Sequence, residues 1–262
     1  MMKRIIFLLF TTSLFYLGCN TTQIATTLVD QFKYDVQKKI VCENGAVVSE
    51  HPLASKVGVA ILKMGGNAVD AAIATQLALA VVYPSAGNLG GGGFMVARLN
   101  DGKLVAIDYR EKAPGNAHRD MYLNAAGEPQ LELSQYGHLS SGVPGTVSGL
   151  FESGKYATLP FDKLIQPAID LAEKGFAISE RDAKAYNALK DDFLKYSTHT
   201  PAFVKENLWK GGDTLIQKDL AETLKRIKKN GSKGFYEGKT AKLIVEEMKR
   251  GKGIITLEDL KN

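Results

Sequence analysis

Cysteine is scarce: Cys19 and Cys42 are the two in 262 residues, too few for a disulfide framework. Histidine is nearly as rare, and His51, His118, His138 and His199 have no ligand-like spacing; without an H-E-x-x-H, no metal site is expected. A G-x-S-x-G elbow is also absent, as is a phosphate-binding loop with Lys-Ser or Lys-Thr, which argues against familiar serine hydrolases and nucleotide binders. No cofactor is implied. No aromatic platform accompanies the lysines, so nucleic acid is not an expected partner. The run Ile5 to Leu17 has thirteen residues, whereas a membrane-spanning helix needs about 20.

That run follows Lys3 and Arg4 and ends at Gly18-Cys19, the pattern of an export signal. Tyr16-Leu17-Gly18-Cys19 resembles the lipobox of bacterial lipoproteins, in which the cysteine becomes the lipidated first residue. The expected organisation is a signal over residues 1–18, a polar tether over 19–43 and a folded body over 44–262, with the protein exported to the periplasm or cell envelope and anchored through Cys19. Cys42 then remains alone, and without an orienting third group near His51 it reads as a spectator. Net charge is +5, concentrated between Lys218 and Lys252, which hold eleven basic and five acidic residues. Those lysines interleave with apolar helical positions, so they mark a solvated helix face.

Pro52 suits the first position of a helix in which Leu53, Val57, Ile61 and Met64 recur at helical spacing. Gly65-Gly66 stops it, and Asn67 with Asp70 forms a capping pair for a second helix, Ala68 to Val82, apolar almost all round and hence interior. Phe94 to Leu99 and Leu104 to Tyr109 read as buried strands joined by Asn100-Asp101-Gly102, a hairpin signal. An irregular stretch runs to Gly145. Helices are expected over Thr146–Tyr156, Pro160–Lys174, Glu180–Lys195, Leu220–Lys229 and Thr240–Arg250. A central strand layer with helices outside it gives an α/β layered (α+β) fold.

The loop Gly87-Asn88-Leu89-Gly90-Gly91-Gly92-Gly93 joins the interior helix to the first strand. Four successive glycines carry an entropic cost, so the loop needs either positive φ angles or close approach of another segment.

The segments Gly65 to Ala72, Gly90 to Met95, Asp108-Tyr109-Arg110-Glu111-Lys112-Ala113-Pro114 and Ser141 to Val147, then Gly212 to Leu215, Phe235 to Gly238 and Ile255 to Leu260, follow one another along the chain. In order and spacing they resemble the γ-glutamyltransferase family. The likeness runs from about Gly45 to the end. It implies part of an N-terminal-nucleophile hydrolase αββα sandwich, made as a precursor in which a threonine cleaves the bond before itself and heads a small subunit. The substrate so implied is a γ-glutamyl compound such as glutathione, and the acceptor is water or an amino acid. The chain departs from that pattern by stopping at Asn262, inside the expected large subunit, so the nucleophile segment and the small subunit are missing and the chain alone is expected to be inactive. Thr198-His199-Thr200 superficially echoes the family's Thr-Thr-His, but it lies upstream of segments that match the large subunit.

By the same resemblance, Arg110 matches the arginine that holds the substrate's α-carboxylate, for which a planar guanidinium suits a two-pronged contact. Read alone, Arg110 favours a salt bridge with Asp108 or Glu111; the surrounding match to the family turns the reading toward substrate contact. Two rival functions remain: a β-lactam (glutaryl) acylase of the same family, and a non-enzymatic surface lipoprotein that keeps the fold. For the anchor, a Cys19→Ser variant should lose membrane association, read by detergent-phase partitioning; wild-type protein found wholly in the aqueous phase would remove the lipoprotein expectation.

Overall fold

The computed structural model describes residues 28–36 and 38–262. The signal over residues 1–18 and Cys19 lie outside the described residues. Among those described, no helix is long and apolar enough to cross a membrane, and no three His, Cys, Asp or Glu side chains gather as metal ligands.

Helix α1 (Pro52–Lys63) begins with proline, and the His51 ring caps it by accepting from the Leu53 amide at 3.2 Å. Its apolar stripe, Leu53, Val57 and Ile61, is fully buried. Helix α2 (Ala68–Val82) carries the expected capping box: Asn67 Oδ1 accepts from Val69 and Asp70, and Asp70 accepts from Asn67 N. Being apolar on every side, α2 lies in the interior, packed on α1 and later elements.

Strands β1 (Phe94–Arg98) and β2 (Leu104–Asp108) form the antiparallel hairpin, with Val96 opposite Ala106 and Gly102 at φ 85° in the turn. Opposed residues share a face. Met95, Val105 and Ile107 turn inward, whereas Phe94 (62% exposed), Val96 (83%) and Leu104 (72%) face solvent. The strands are therefore half-buried and not fully buried, because among the described residues nothing covers the outer face.

The stretch after Gly115 is mostly irregular, as expected, with a short helix α3 (Leu131–Gln135). Then come α4 (Thr146–Ser153), α5 (Phe161–Lys174), the two-residue strand β3 (Phe176–Ala177), α6 (Glu180–Ala188) and α7 (Lys190–Tyr196). The single helix expected over Glu180–Lys195 is thus two, broken at Leu189. Strand β4 (Thr214–Leu215) pairs with β3, and α8 (Lys218–Asn230), α9 (Lys233–Tyr236), α10 (Gly238–Arg250) and α11 (Leu257–Lys261) complete the described elements. The core is built from α1, α2, α5 and α8; the strands, expected as one central layer, instead form two separate two-stranded sheets among the described residues, the hairpin and the small β3–β4 pair, because the apolar interior is filled by α2 and the helices packed on it. On α8 and α10 the lysines are largely solvent-facing while Ala221, Leu224, Ile227, Ala241 and Val245 are buried, which agrees with a solvated basic face.

Part of the expected tether is docked. Gln31 is buried, its carbonyl accepts from Ala177 N at 3.3 Å, and the Tyr34 hydroxyl donates to Ala177 O at 2.6 Å. Tyr34 and Phe176 flank the buried His51 ring. Burial pushes the His51 pKa down to about 4 against the opposing field of Asp182, so the ring stays neutral at pH 7 and can cap α1.

Asp70 ties the core to the next layer. Fully buried, its carboxylate accepts from Thr158 N, Thr158 Oγ1 (2.7 Å) and Leu159 N (2.9 Å) besides its own cap. Burial would raise its pKa, but these donors outweigh that and hold it below the usual carboxylate range. A depressed pKa adds stability that is complete above the unfolded value near 3.9 and is lost as pH falls through the folded one. Asp70→Asn should destabilise the chain by about 2–4 kcal/mol at pH 7. In urea unfolding, that deficit should shrink below about pH 4; a pH-independent deficit would assign the loss to packing instead.

Candidate functional site

The hairpin delivers Asp108-Tyr109-Arg110 to a slot between the glycine loop over residues 87–93 and the start of α4, where Gly145 is the N-cap and Gly149 lies within the helix. On one side Gly93 exchanges backbone hydrogen bonds with Tyr109, at 3.1 and 3.3 Å. A Cβ on Gly92 would lie 2.7 Å from Tyr109 O and from Glu111 N, and one on Gly93 would lie 2.7 Å from the Tyr109 ring. On the other side a methyl at Gly145 would overlap Tyr109 O, and one at Gly149 would overlap the tyrosine ring. The two sides are themselves joined, since Gly91 O accepts from Gly145 N (2.8 Å) and Thr146 N (3.0 Å), while Thr146 Oγ1 donates to Asn88 Oδ1. None of the glycines from Gly87 to Gly93 has a positive φ. Close approach of another segment is realised at Gly92 and Gly93, whereas Gly90 shows neither a positive φ nor a close neighbour.

Tyr109 therefore sits with its ring between Gly93 and Gly149. Its hydroxyl reaches Gln76 Oε1 on α2 at 3.1 Å and Phe94 O at 3.3 Å. Burial raises the phenol pKa, with the Gln76 bond opposing it, so the group remains a protonated donor at pH 7.

Arg110 is exposed. Among the described residues its guanidinium has no ion pair, and the salt bridge to Asp108 or Glu111 is absent. Asp108 Oδ1 instead accepts from the Arg110 backbone N–H at 2.9 Å, fixing the main chain and leaving the side chain available. A cleft of about 470 Å³ opens beside it, lined by Arg110, Lys112, Ser148, Glu152, Tyr236 and Asp259 among others. A broader one of about 1410 Å³ lies between the extended segment before α1, helices α1 and α2, and the base of the hairpin.

The other residues weighed from sequence lie elsewhere. Cys42 is an exposed free thiol. Thr198 donates to Glu247 Oε1 on α10, joining His138 Nε2 (2.7 Å), Arg250 (2.6 Å) and His199 (3.6 Å) around that carboxylate. Burial alone would raise the Glu247 pKa, but the bonds from Thr198, His138 and Arg250 lower it to about 2. This hub joins Thr198 and His199 to α10 at a surface distinct from the glycine slot; motif reading did not find it, because His138, Thr198 and Glu247 are separated by tens of residues.

The sequence pattern described as gamma-glutamyltranspeptidase matches residues 54–262. A glutathione hydrolase proenzyme of Pseudomonas sp. strain A14 is 48% identical over 227 residues, covering 86% of this chain and 40% of that protein. The crystal structure of Helicobacter pylori gamma-glutamyltranspeptidase superposes with a TM-score of 0.83 at 48% identity, over 86% of this chain and 65% of that one. A cephalosporin acylase from Bacillus halodurans is more distant, with a TM-score of 0.70 and 27% identity over 87% of this chain and 45% of that one. The chain belongs to the gamma-glutamyltranspeptidase family. It spans about 40% of the length of the Pseudomonas relative.

The slot makes a paired prediction. Gly145→Ala should lower stability by about 1–3 kcal/mol, since the added methyl meets a backbone carbonyl. At Gly90 a Cβ would meet nothing within 4 Å, so Gly90→Ala should fall within about 0.5 kcal/mol of wild type. Thermal unfolding of the two variants side by side measures the difference; equal losses would mean the slot is not tightly closed.

Proposed function

We propose that this chain is the substrate-carboxylate-binding part of a γ-glutamyl acyltransferase and glutathione hydrolase, with Arg110 holding the α-carboxylate of the γ-glutamyl group. The observation that carries this reading is an exposed guanidinium that forms no ion pair among the described residues, on a main chain gripped from both sides and beside a cleft. Two parallel N–H donors match a carboxylate, and each charge-assisted bond contributes about 1.5–3 kcal/mol.

The acyl transfer itself would use a threonine at the head of a small subunit, as the family resemblance implies. Its hydroxyl would attack the γ-carbonyl with its own α-amine as base, releasing the amine product, and water or an amino acid would then take the acyl group. The 262 residues contain no Thr-Thr-His. The outer hairpin face, with Phe94, Val96 and Leu104 exposed, offers apolar surface on which further strands of a sandwich would pack. Anchoring at the cell envelope through Cys19 belongs to the same reading and rests on the N-terminal sequence alone.

The likeness to a cephalosporin acylase favours a second reading, in which the acyl group is glutaryl and lacks the α-amino group. Both acyl groups carry a terminal carboxylate that Arg110 could hold.

A proenzyme completing these 262 residues with the remaining sequence of the Pseudomonas relative separates the possibilities. It should mature and release the anilide from a γ-glutamyl anilide faster than from a glutaryl anilide, whereas the 262 residues alone should release none. Arg110→Lys keeps the charge but loses the fork, so kcat/KM should fall about ten- to a hundredfold with self-cleavage intact. Unchanged kcat/KM in the matured variant would reduce Arg110 to a structural role. Preference for the glutaryl anilide would select the acylase reading, and no turnover of either would favour a binding lipoprotein.

A further inference from the structure

The side chain of the residue before Arg110 is held as firmly as its main chain, and by different groups. The Tyr109 ring occupies the space left by the missing side chains of Gly93 and Gly149, and its hydroxyl reaches across to Gln76 on the buried helix α2. Gln76 itself is 33 residues away in sequence, on an element whose capping box and buried Asp70 fix its position. A guanidinium that must meet a carboxylate with two bonds in one plane tolerates little movement of the backbone that bears it. Asp108 secures the Arg110 amide, but that bond is local and exposed and moves with the hairpin. Met95 packs the hairpin on the core by apolar contact, and the tyrosine wedge adds a directional polar link from the residue next to Arg110 to α2.

We propose that Tyr109 is a positioning residue for Arg110, transmitting the fixed placement of α2 through Gln76 to the carboxylate-binding guanidinium. This rests on the reading of Arg110 given above and deepens it. Losing the wedge should leave the acyl chemistry in place but blur the placement of the substrate's carboxylate. Such an effect weakens binding in the ground and transition states alike and is seen in KM more than in kcat.

The test uses the completed proenzyme and a γ-glutamyl anilide. Tyr109→Phe keeps the ring between the glycines and removes only the hydroxyl; Gln76→Met removes the acceptor from the far side and leaves the tyrosine intact. Each should raise KM about three- to tenfold with kcat within about twofold of wild type. The double variants with Arg110→Lys carry the decision: once the fork is gone, Tyr109→Phe should add no further loss, a non-additivity that an unconnected structural defect would not give. If Arg110→Lys is itself without effect, the carboxylate reading fails. If Arg110→Lys is impaired while the Tyr109 and Gln76 variants match wild type, or their losses add in full to that of Arg110→Lys, the positioning role is overturned and the carboxylate reading stands. Failure of both single variants to mature would also overturn it, by showing that the wedge supports the fold as a whole.

Discussion

The placement of α2 is the constraint on which the rest depends. An interior helix without a polar face has no solvent side to orient it, so its direction is set by its ends and its few polar positions. At the start, Asn67 and Asp70 close the cap, and Asp70 reaches the Thr158–Leu159 turn. In the middle Gln76 meets Tyr109, and near the end Val81 O accepts from Gln217 Nε2 at 2.8 Å, just before α8. Three polar contacts along one apolar rod thus set the positions of the α5 layer, the hairpin and α8. Buried polar groups are costly to leave unpaired, which gives these contacts more influence on geometry than their number suggests.

Local chemistry made much of this readable. The bounds of α2, its capping box and the Asp-Gly hairpin follow from residues within a few positions of one another, and the structure has them where the sequence puts them. What was not readable depends on distant partners. Nothing near Leu189 announces the break between α6 and α7, and β3 and β4 are two residues each, strands only because Phe176 and Leu215 meet. The hairpin strands have the composition of buried strands, but burial is decided by what packs on them. Gln31 and Tyr34, in a polar stretch, are docked because Ala177 offers backbone groups there.

The site was legible unevenly. Arg110 stands out only through a run of residues resembling a family, since residue types and spacing alone favoured a local ion pair with Asp108 or Glu111. The glycine run asked for an explanation, but the answer, Tyr109 seated against Gly149 as well as Gly93, requires three segments spread over more than fifty residues. Such a slot has no linear signature: what distinguishes these glycines is the absence of a side chain where another segment passes.

The open face of the hairpin bears on how the chain avoids self-association. Paired strands with free edges and a row of Phe94, Val96 and Leu104 in solvent form a template to which another extended polypeptide can add, the geometry from which aggregation begins. Arg98 and Asp108 lie on that same face, and Asp101 and Lys103 flank the turn, so each strand carries a charged residue at one end. Placed there, they act as gatekeepers: a foreign strand seeking register along the edge must desolvate a charge of either sign, whereas a sequence with matching partners would meet no such penalty.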